Sequence, residues 1–284
     1  MDYIAPTWLP GGHAQTLYAA LAAPRPHVVY RRERWDTPDG DFIDLDWTVN
    51  PGPGASRLNS SRPGGRGSQA PSNENSARSG LDLEEAPLVA LFHGLEGNSQ
   101  SHYAVALMAA LRRIGWRGVV VHFRGCSGEP NRRPRAYHSG DSAEIDWILR
   151  RLRQQHRSAP LYAVGVSLGG NALLKWLGET GASAREWVDR AAAVSAPVDL
   201  MAAGNALDRG LNLVYVRHFL TSMKKKALAK LSRHPSLYNA ARVRAAFTLR
   251  TFDNLVTAPL HGFTGVDDYW MRASAKPLLH HIGV

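Results

Sequence analysis

Leu161-Tyr162-Ala163-Val164-Gly165-Val166-Ser167-Leu168-Gly169-Gly170-Asn171-Ala172-Leu173-Leu174-Lys175-Trp176-Leu177 is the stretch whose reading decides the fold. Its first six residues form a short apolar run, as expected of a strand buried in a sheet. From Leu168 to Leu177 the pattern is helical. Between the two lies Gly165-Val166-Ser167-Leu168-Gly169, a G-x-S-x-G motif in the strand-turn-helix setting that gives the motif its meaning. Such a turn holds the serine in strained backbone geometry, and Gly165 and Gly169 leave the room that a side chain would fill. Ser167 is then a candidate nucleophile, raised above the helix N-terminus, whose amides and dipole favour developing negative charge. The plainer alternative is a serine that only caps the helix. The ordered neighbours on both sides favour the nucleophile.

Working outward, Leu88-Val89-Ala90-Leu91-Phe92 is another continuous apolar run, and Gly118-Val119-Val120-Val121-His122-Phe123 a third. Helices are predicted from about Tyr103 to Ile114 and from Ala143 to Gln155, where Ile145, Ile148, Leu149 and Leu152 share a stripe. Ala191 to Ser195 is a shorter strand. This alternation predicts an α/β fold, with a mostly parallel sheet covered by helices on both faces. Upstream, Val28 to Trp35 and Phe42 to Trp47 read as two strands around the turn signal Pro38-Asp39-Gly40. Residues 51–86, dominated at first by Gly, Pro, Ser, Asn and Arg, read as a disordered insertion. From about 202 to 275 the pattern is helical without strands, and we expect a helical cap above the site. The whole of 1–284 reads as one domain.

The strand ending at Phe92 runs into His93-Gly94-Leu95-Glu96-Gly97. A serine nucleophile of this type draws one oxyanion donor from the residue after it and the other from the loop after the third strand. The predicted donors are the backbone amides of Leu168 and Leu95. Gly94 lets the loop turn towards the serine, and His93 supports it. The alternative for His93 is a buried, satisfied histidine in a glycine-rich turn.

Composition narrows the function classes. The chain has 284 residues, 44% of them hydrophobic and 20% charged, ordinary values for a globular protein. No apolar run reaches the roughly 20 residues that span a bilayer. The first residues show no signal peptide. One cysteine, Cys126, excludes an internal disulfide and a cysteine-rich metal site, and a reducing cytoplasm is the expected location. The net charge of +10 is spread along the chain without a nucleic-acid motif. The densest cluster, Lys224-Lys225-Lys226, reads as a solvated helix face, with weak membrane-surface association as its other use. A basic surface-binding module is the least favoured reading, and no nucleic-acid partner is expected.

Several blocks in order carry a family resemblance: Gly12-His13-Ala14-Gln15-Thr16-Leu17, Pro38 to Trp47, His93 to Gly97, and Phe123-Arg124-Gly125-Cys126-Ser127-Gly128. Tyr137-His138-Ser139-Gly140-Asp141, Gly165 to Asn171, and Phe252 to Phe263 complete the set. On these the chain resembles the α/β-hydrolase family that contains bacterial YheT-type proteins and the related plant and animal abhydrolase lipid esterases. The resemblance implies hydrolysis of carboxylic esters, of acyl or lipid type, with Ser167 as nucleophile and with no metal and no organic cofactor. The triad of such enzymes runs Ser, acid, His along the chain. Pro277 to Val284 resembles the approach to the late strand that precedes the acid. The expectation is therefore that the acid and the histidine are absent from this chain and that its activity is impaired. His280 and His281 should lie at the far end of the sheet, while His261 and Asp253 belong to a block outside the triad. His138 and Asp141, which precede the nucleophile, read as structural. The competing expectation is an inactive protein that keeps the acyl pocket for binding.

Overall fold

Leu88–Phe92 is buried at all five positions, as a strand with helices over both faces must be. In the computed structural model, which describes residues 5–49 and 85–284, it belongs to a six-stranded sheet. The strands are β1 (Tyr30–Asp36), β2 (Phe42–Thr48), β3 (Leu88–Phe92), β4 (Arg117–His122), β5 (Leu161–Val166) and β6 (Arg190–Val194), in spatial order β1-β2-β4-β3-β5-β6. β1 and β2 form an antiparallel hairpin, β2 runs antiparallel to β4, and β4, β3, β5 and β6 are mutually parallel. The hairpin turns at Gly40, whose φ of 77° suits glycine. Of the insertion expected over 51–86, residues 51–84 lie outside the described residues.

The first four helices are α1 (Gly11–Leu21), α2 (His102–Arg113), α3 (Ser142–Gln155) and α4 (Leu168–Thr180), of which α2, α3 and α4 pack on the sheet. α2 covers one face, where Ala104, Met108 and Leu111 pack on Val89, Leu91 and Val120. α3 and α4 cover the other, where Ile145, Ile148, Leu149, Leu173 and Trp176 pack with Ala90, Phe92, Val121 and Ala163. β3 and β5 are neighbours, yet their chains leave towards helices on opposite faces. A crevice therefore opens between their C-terminal ends, the usual place for a ligand in a sheet of this kind. Phe92 pairs with Gly165, so the loop after β3 stands beside Ser167.

Beyond β6 the described chain is helical: α5 (Leu200–Leu207), α6 (Leu213–Lys230), α7 (Ala240–Ala245), α8 (Leu249–Phe252) and α9 (Val266–Ala273). α8 continues through a π-helical turn, Asp253–Thr257, into a last turn at Ala258–Leu260. These elements form their own core around Val216, Val243, Phe252, Tyr269 and Trp270.

One expectation is corrected. β5 is buried at alternate positions only, with Tyr162, Val164 and Val166 half-buried, because α2 covers β3 and β4 rather than β5 on that face. Ala192, Ala193 and Val194 of β6 are exposed, and among the described strands β6 pairs only with β5. No described helix is long and apolar enough to cross a membrane.

Candidate active site

Ser167 has φ 52° and ψ −118°, a strained conformation for a residue with a side chain. It is held there at both ends. Its amide donates to Val194 O at 2.8 Å, and its carbonyl accepts from Asn171 N at 3.0 Å. The flanking glycines are required by close backbone approach. A Cβ on Gly165 would stand 2.5 Å from Gly169 O, and one on Gly169 would stand 2.6 Å from His93 O and closer still to Phe92 O. β5, α4 and the end of β3 are thus pressed together where the serine emerges. The loop also reaches it directly, since a Cβ on Gly94 would lie 3.2 Å from Ser167 Cβ.

Three amides of the loop after β3 have described partners. Gly94 N donates to Tyr103 Oη at 2.8 Å, Glu96 N to Tyr137 Oη at 2.9 Å, and Gly97 N to Gly94 O at 2.9 Å. Among the described residues the Leu95 amide has no hydrogen bond. The Leu168 amide is the first of α4 and has no intrahelical acceptor. His93 is a strut. Its Nδ1 bonds Gly94 O at 2.8 Å and its Nε2 accepts from Phe123 N at 3.1 Å, which sets the Nδ1–H tautomer. Complete burial pulls its pKa down to about 3.

Ser167, Leu95 and Leu168 line one cavity of about 1330 Å³ roofed by residues of α5, α6, α8 and α9. Glu96, in a left-handed conformation at φ 56°, meets Lys226 of α6 at 2.9 Å and accepts from Tyr137 Oη at 2.9 Å. Lys226 Nζ also approaches Cys126 Sγ at 3.4 Å, and burial pushes that thiol up to about 11. Lys226 is therefore a cavity residue, which corrects the solvated-face reading of the 224–226 cluster. Lys225 is exposed, and Lys224 donates to Arg244 O at 2.9 Å. Beneath the cavity, buried Arg124 joins Glu144 at 2.6 Å, Asp39 at 2.9 Å and Asp41 at 3.3 Å. Burial, then the charge of Asp141, pushes Glu144 up to about 7. Asp46 accepts from His122, Ser99 and both arms of Arg32, and these partners hold its carboxyl well below the usual range against the effect of burial.

The described residues include all twelve histidines, and none hydrogen-bonds to Ser167 Oγ. His280 and His281 sit in a 3₁₀ turn packed on the C-terminal end of α4, where Gly178 meets Leu278. Gly178 is ten residues on from Leu168, roughly 15 Å along the helix from the serine. His261 bonds Thr257 O at 2.7 Å and Ala136 O at 2.9 Å, clamping the helical segment to the 136–138 loop. Asp253 accepts from Thr257 Oγ1 and Trp270 Nε1, and burial pushes it up to about 6. His122 and His138 line the cavity. His122 is engaged by Asp46 and Cys126 O, whereas His138 accepts from Gly140 N and is pulled down to about 3 by burial. Asp141 accepts from Arg135 at 2.5 Å. Sequence reasoning gave no role to Asn171. Its amide donates to Ser139 O at 2.7 Å and Ala273 O at 2.8 Å and accepts from Ala275 N at 3.0 Å, tying α4 to the end of α9. A buried asparagine four residues after an elbow serine was the available signal.

A strained serine between β5 and α4, beside a glycine loop after β3, is the arrangement of an α/β hydrolase. The model of the alpha/beta hydrolase fold family matches residues 87–250. The chain is 38% identical to YheT of Escherichia coli (strain K12), which carries the name of a candidate esterase, over 95% of this chain and 71% of that one. It is 28% identical to the human protein named phospholipase ABHD3 over 99% of this chain, and it spans 63% of that protein's length. Among solved structures, a Pyrococcus furiosus esterase aligns with a TM-score of 0.45 and 14% identity, covering 70% of this chain and 60% of that one. The chain belongs to the α/β-hydrolase fold family. Within it, the chain falls among the YheT-like, esterase- and lipase-type members.

Proposed function

We propose that this protein is a serine hydrolase acting on carboxylic esters with an acyl or lipid chain. Ser167 is the nucleophile, and the amides of Leu95 and Leu168 receive the oxyanion. One observation carries the reading: the strained serine, Leu168 after it and Leu95 of the loop after β3 line one cavity, and neither leucine amide has a described partner. In the reaction Ser167 Oγ adds to the ester carbonyl, and the carbonyl oxygen takes the charge into the two amides. The serine proton passes through a solvent base, water or imidazole, to the alcohol, which leaves as the carbonyl re-forms; water then adds to the acyl-serine, releasing the acid and returning a proton to Oγ. Gly94, Gly165 and Gly169 keep the loop and the elbow within reach of each other, and His93 fixes the loop. The helical segment 202–275 serves as the cap that encloses the acyl chain. Names of relatives support the class: esterase for YheT and phospholipase for ABHD3.

A serine hydroxyl needs a base to become a good nucleophile, and no histidine of this chain bonds to Ser167. The same fact favours a second reading, in which the chain binds acyl compounds without turnover. Hydrolysis of a short-chain p-nitrophenyl ester, compared with Ser167→Ala, separates them. We expect a modest Ser167-dependent rate that added imidazole raises. Equal rates for the two proteins, with and without imidazole, would leave binding as the function.

A further inference from the structure

The loop that carries Leu95 is tied to the helical segment as well as to the sheet. Leu95 packs against both hydrophobic cores, the one beneath α3 and α4 and the one inside the helical segment. The next residue, Glu96, has φ 56°, a conformation that few residues with a side chain adopt. Tyr137 closes a ring around it. Glu96 N donates to Tyr137 Oη at 2.9 Å, and Tyr137 Oη donates to Glu96 Oε1 at 2.9 Å. Lys226 of α6 completes the arrangement, with its Nζ 3.0 Å from Glu96 Oε1 and 2.9 Å from Oε2.

The Glu96 side chain is only 9% exposed, and among the described residues Lys226 is the one cation paired with it. A carboxylate taken out of water is costly without its cation. Glu96 therefore holds its inward pose only while α6 is seated. α6 is anchored through Val216, Leu220 and Ala227 in the core of the helical segment. Tyr137 depends on the same segment, since its loop is clamped by it on both sides. His261 Nε2 bonds Ala136 O at 2.9 Å, and Ser139 N donates to Tyr269 Oη at 2.9 Å. If α6 lifts, Glu96 loses its cation and is free to leave its strained φ. The turn between Gly94 and Gly97 then re-forms, and the Leu95 amide inside it moves.

We propose that Lys226, acting through Glu96 and Tyr137, is a positioning residue that makes the oxyanion loop depend on a seated cap. This rests on the reading of Ser167, Leu95 and Leu168 as an ester site and concerns the regulation of that site. The test compares the full 284-residue chain with Lys226→Met, which keeps the length of the side chain and loses its charge, and with Lys226→Arg, which keeps the charge. Hydrogen–deuterium exchange of the loop, read by mass spectrometry, needs no turnover. Exchange at Glu96 and Gly97 should quicken about tenfold in Lys226→Met and stay within about twofold of the parent in Lys226→Arg, with β3 and α4 unchanged. Tyr137→Phe removes one hydroxyl without touching α6, and should quicken the same two amides. Fluorophosphonate labelling of Ser167 gives the second readout. Its limiting rate should fall about tenfold in Lys226→Met, with the half-saturating concentration unchanged. Loss of packing in the cavity wall would raise the half-saturating concentration instead, and that result overturns the positioning role. Loop exchange in Lys226→Met equal to the parent's, or a loss that Lys226→Arg does not restore, also overturns it. Failure of the ester-site reading shows separately, as a parent chain with no Ser167 adduct, and loop exchange still decides the coupling in that case.

Discussion

Replacing Gly169 by alanine tests how closely fold and site are joined. The new Cβ would lie 2.6 Å from His93 O, roughly 0.8 Å short of ordinary contact, and closer still to Phe92 O. Neither obstacle is a flexible side-chain end. Both are carbonyls at the end of a strand buried at every position, so α4 and β3 must separate. Overpacking of this kind costs about 1–3 kcal/mol, and rigid backbone on both sides places this case near 3. The same separation carries Leu95 away from Ser167, and a misplacement of about 1 Å costs on the order of 100-fold in reaction rate. Urea unfolding gives the first quantity. The rate of Ser167 modification by a fluorophosphonate, read by mass spectrometry, gives the second. Gly12→Ala in α1, where a Cβ meets nothing within 4 Å, is the control and should stay within about 0.5 kcal/mol of the parent or gain slightly. A Gly169→Ala protein as stable as that control, with the parent's labelling rate, would refute the close-approach argument.

Other substitutions probe the supports. Asn171→Leu removes three buried hydrogen bonds between α4 and the end of α9, and leaves Ser139 O, Ala273 O and Ala275 N unpaired. A loss of roughly 3 kcal/mol is expected in urea unfolding, and a loss under 1 would show that water replaces the amide. His93 is neutral when folded down to about pH 3, whereas in the unfolded chain it takes a proton near its ordinary 6.5. Its contribution is therefore full above 6.5 and is lost as pH falls towards 3. Glu144 and Asp253, pushed up to about 7 and 6, act in the opposite sense over much of that window, so the parent's own profile blends these effects. The difference between parent and His93→Gln isolates one proton. The parent should lose about 1.4 kcal/mol per pH unit relative to the variant below 6.5, and parallel profiles would contradict the neutral strut.

Much of the sheet was legible because its strands carry apolar runs, and the elbow because its glycines sit at fixed places around Ser167. What escaped had physical reasons. α1 buries no residue, so its sequence shows no apolar stripe. α4 continues past Leu177 because Gly178 admits Leu278 rather than ending the helix, and the left-handed residue at its end is Gly181, with φ 61°. The half-buried face of β5 depends on which strands α2 covers, a tertiary fact absent from any local pattern. Lys226 read as surface because a charge run resembles a solvated face, and only the fold brings Glu96 across to it. The Leu95 and Leu168 amides, proposed to receive the oxyanion, follow from motif position alone. The partners of the Gly94 and Glu96 amides, Tyr103 of α2 and Tyr137 of the loop before α3, are contacts that no local pattern shows.

We propose that Ser167 is an acyl-transfer nucleophile that no histidine of this chain contacts. Fluorophosphonate labelling with and without added imidazole, followed by site mapping, tests it most directly. The account predicts a single slow adduct on Ser167, accelerated by imidazole and missing from Ser167→Ala. Fast labelling that imidazole does not change would contradict the missing base, and no adduct at Ser167 under either condition would contradict the site itself.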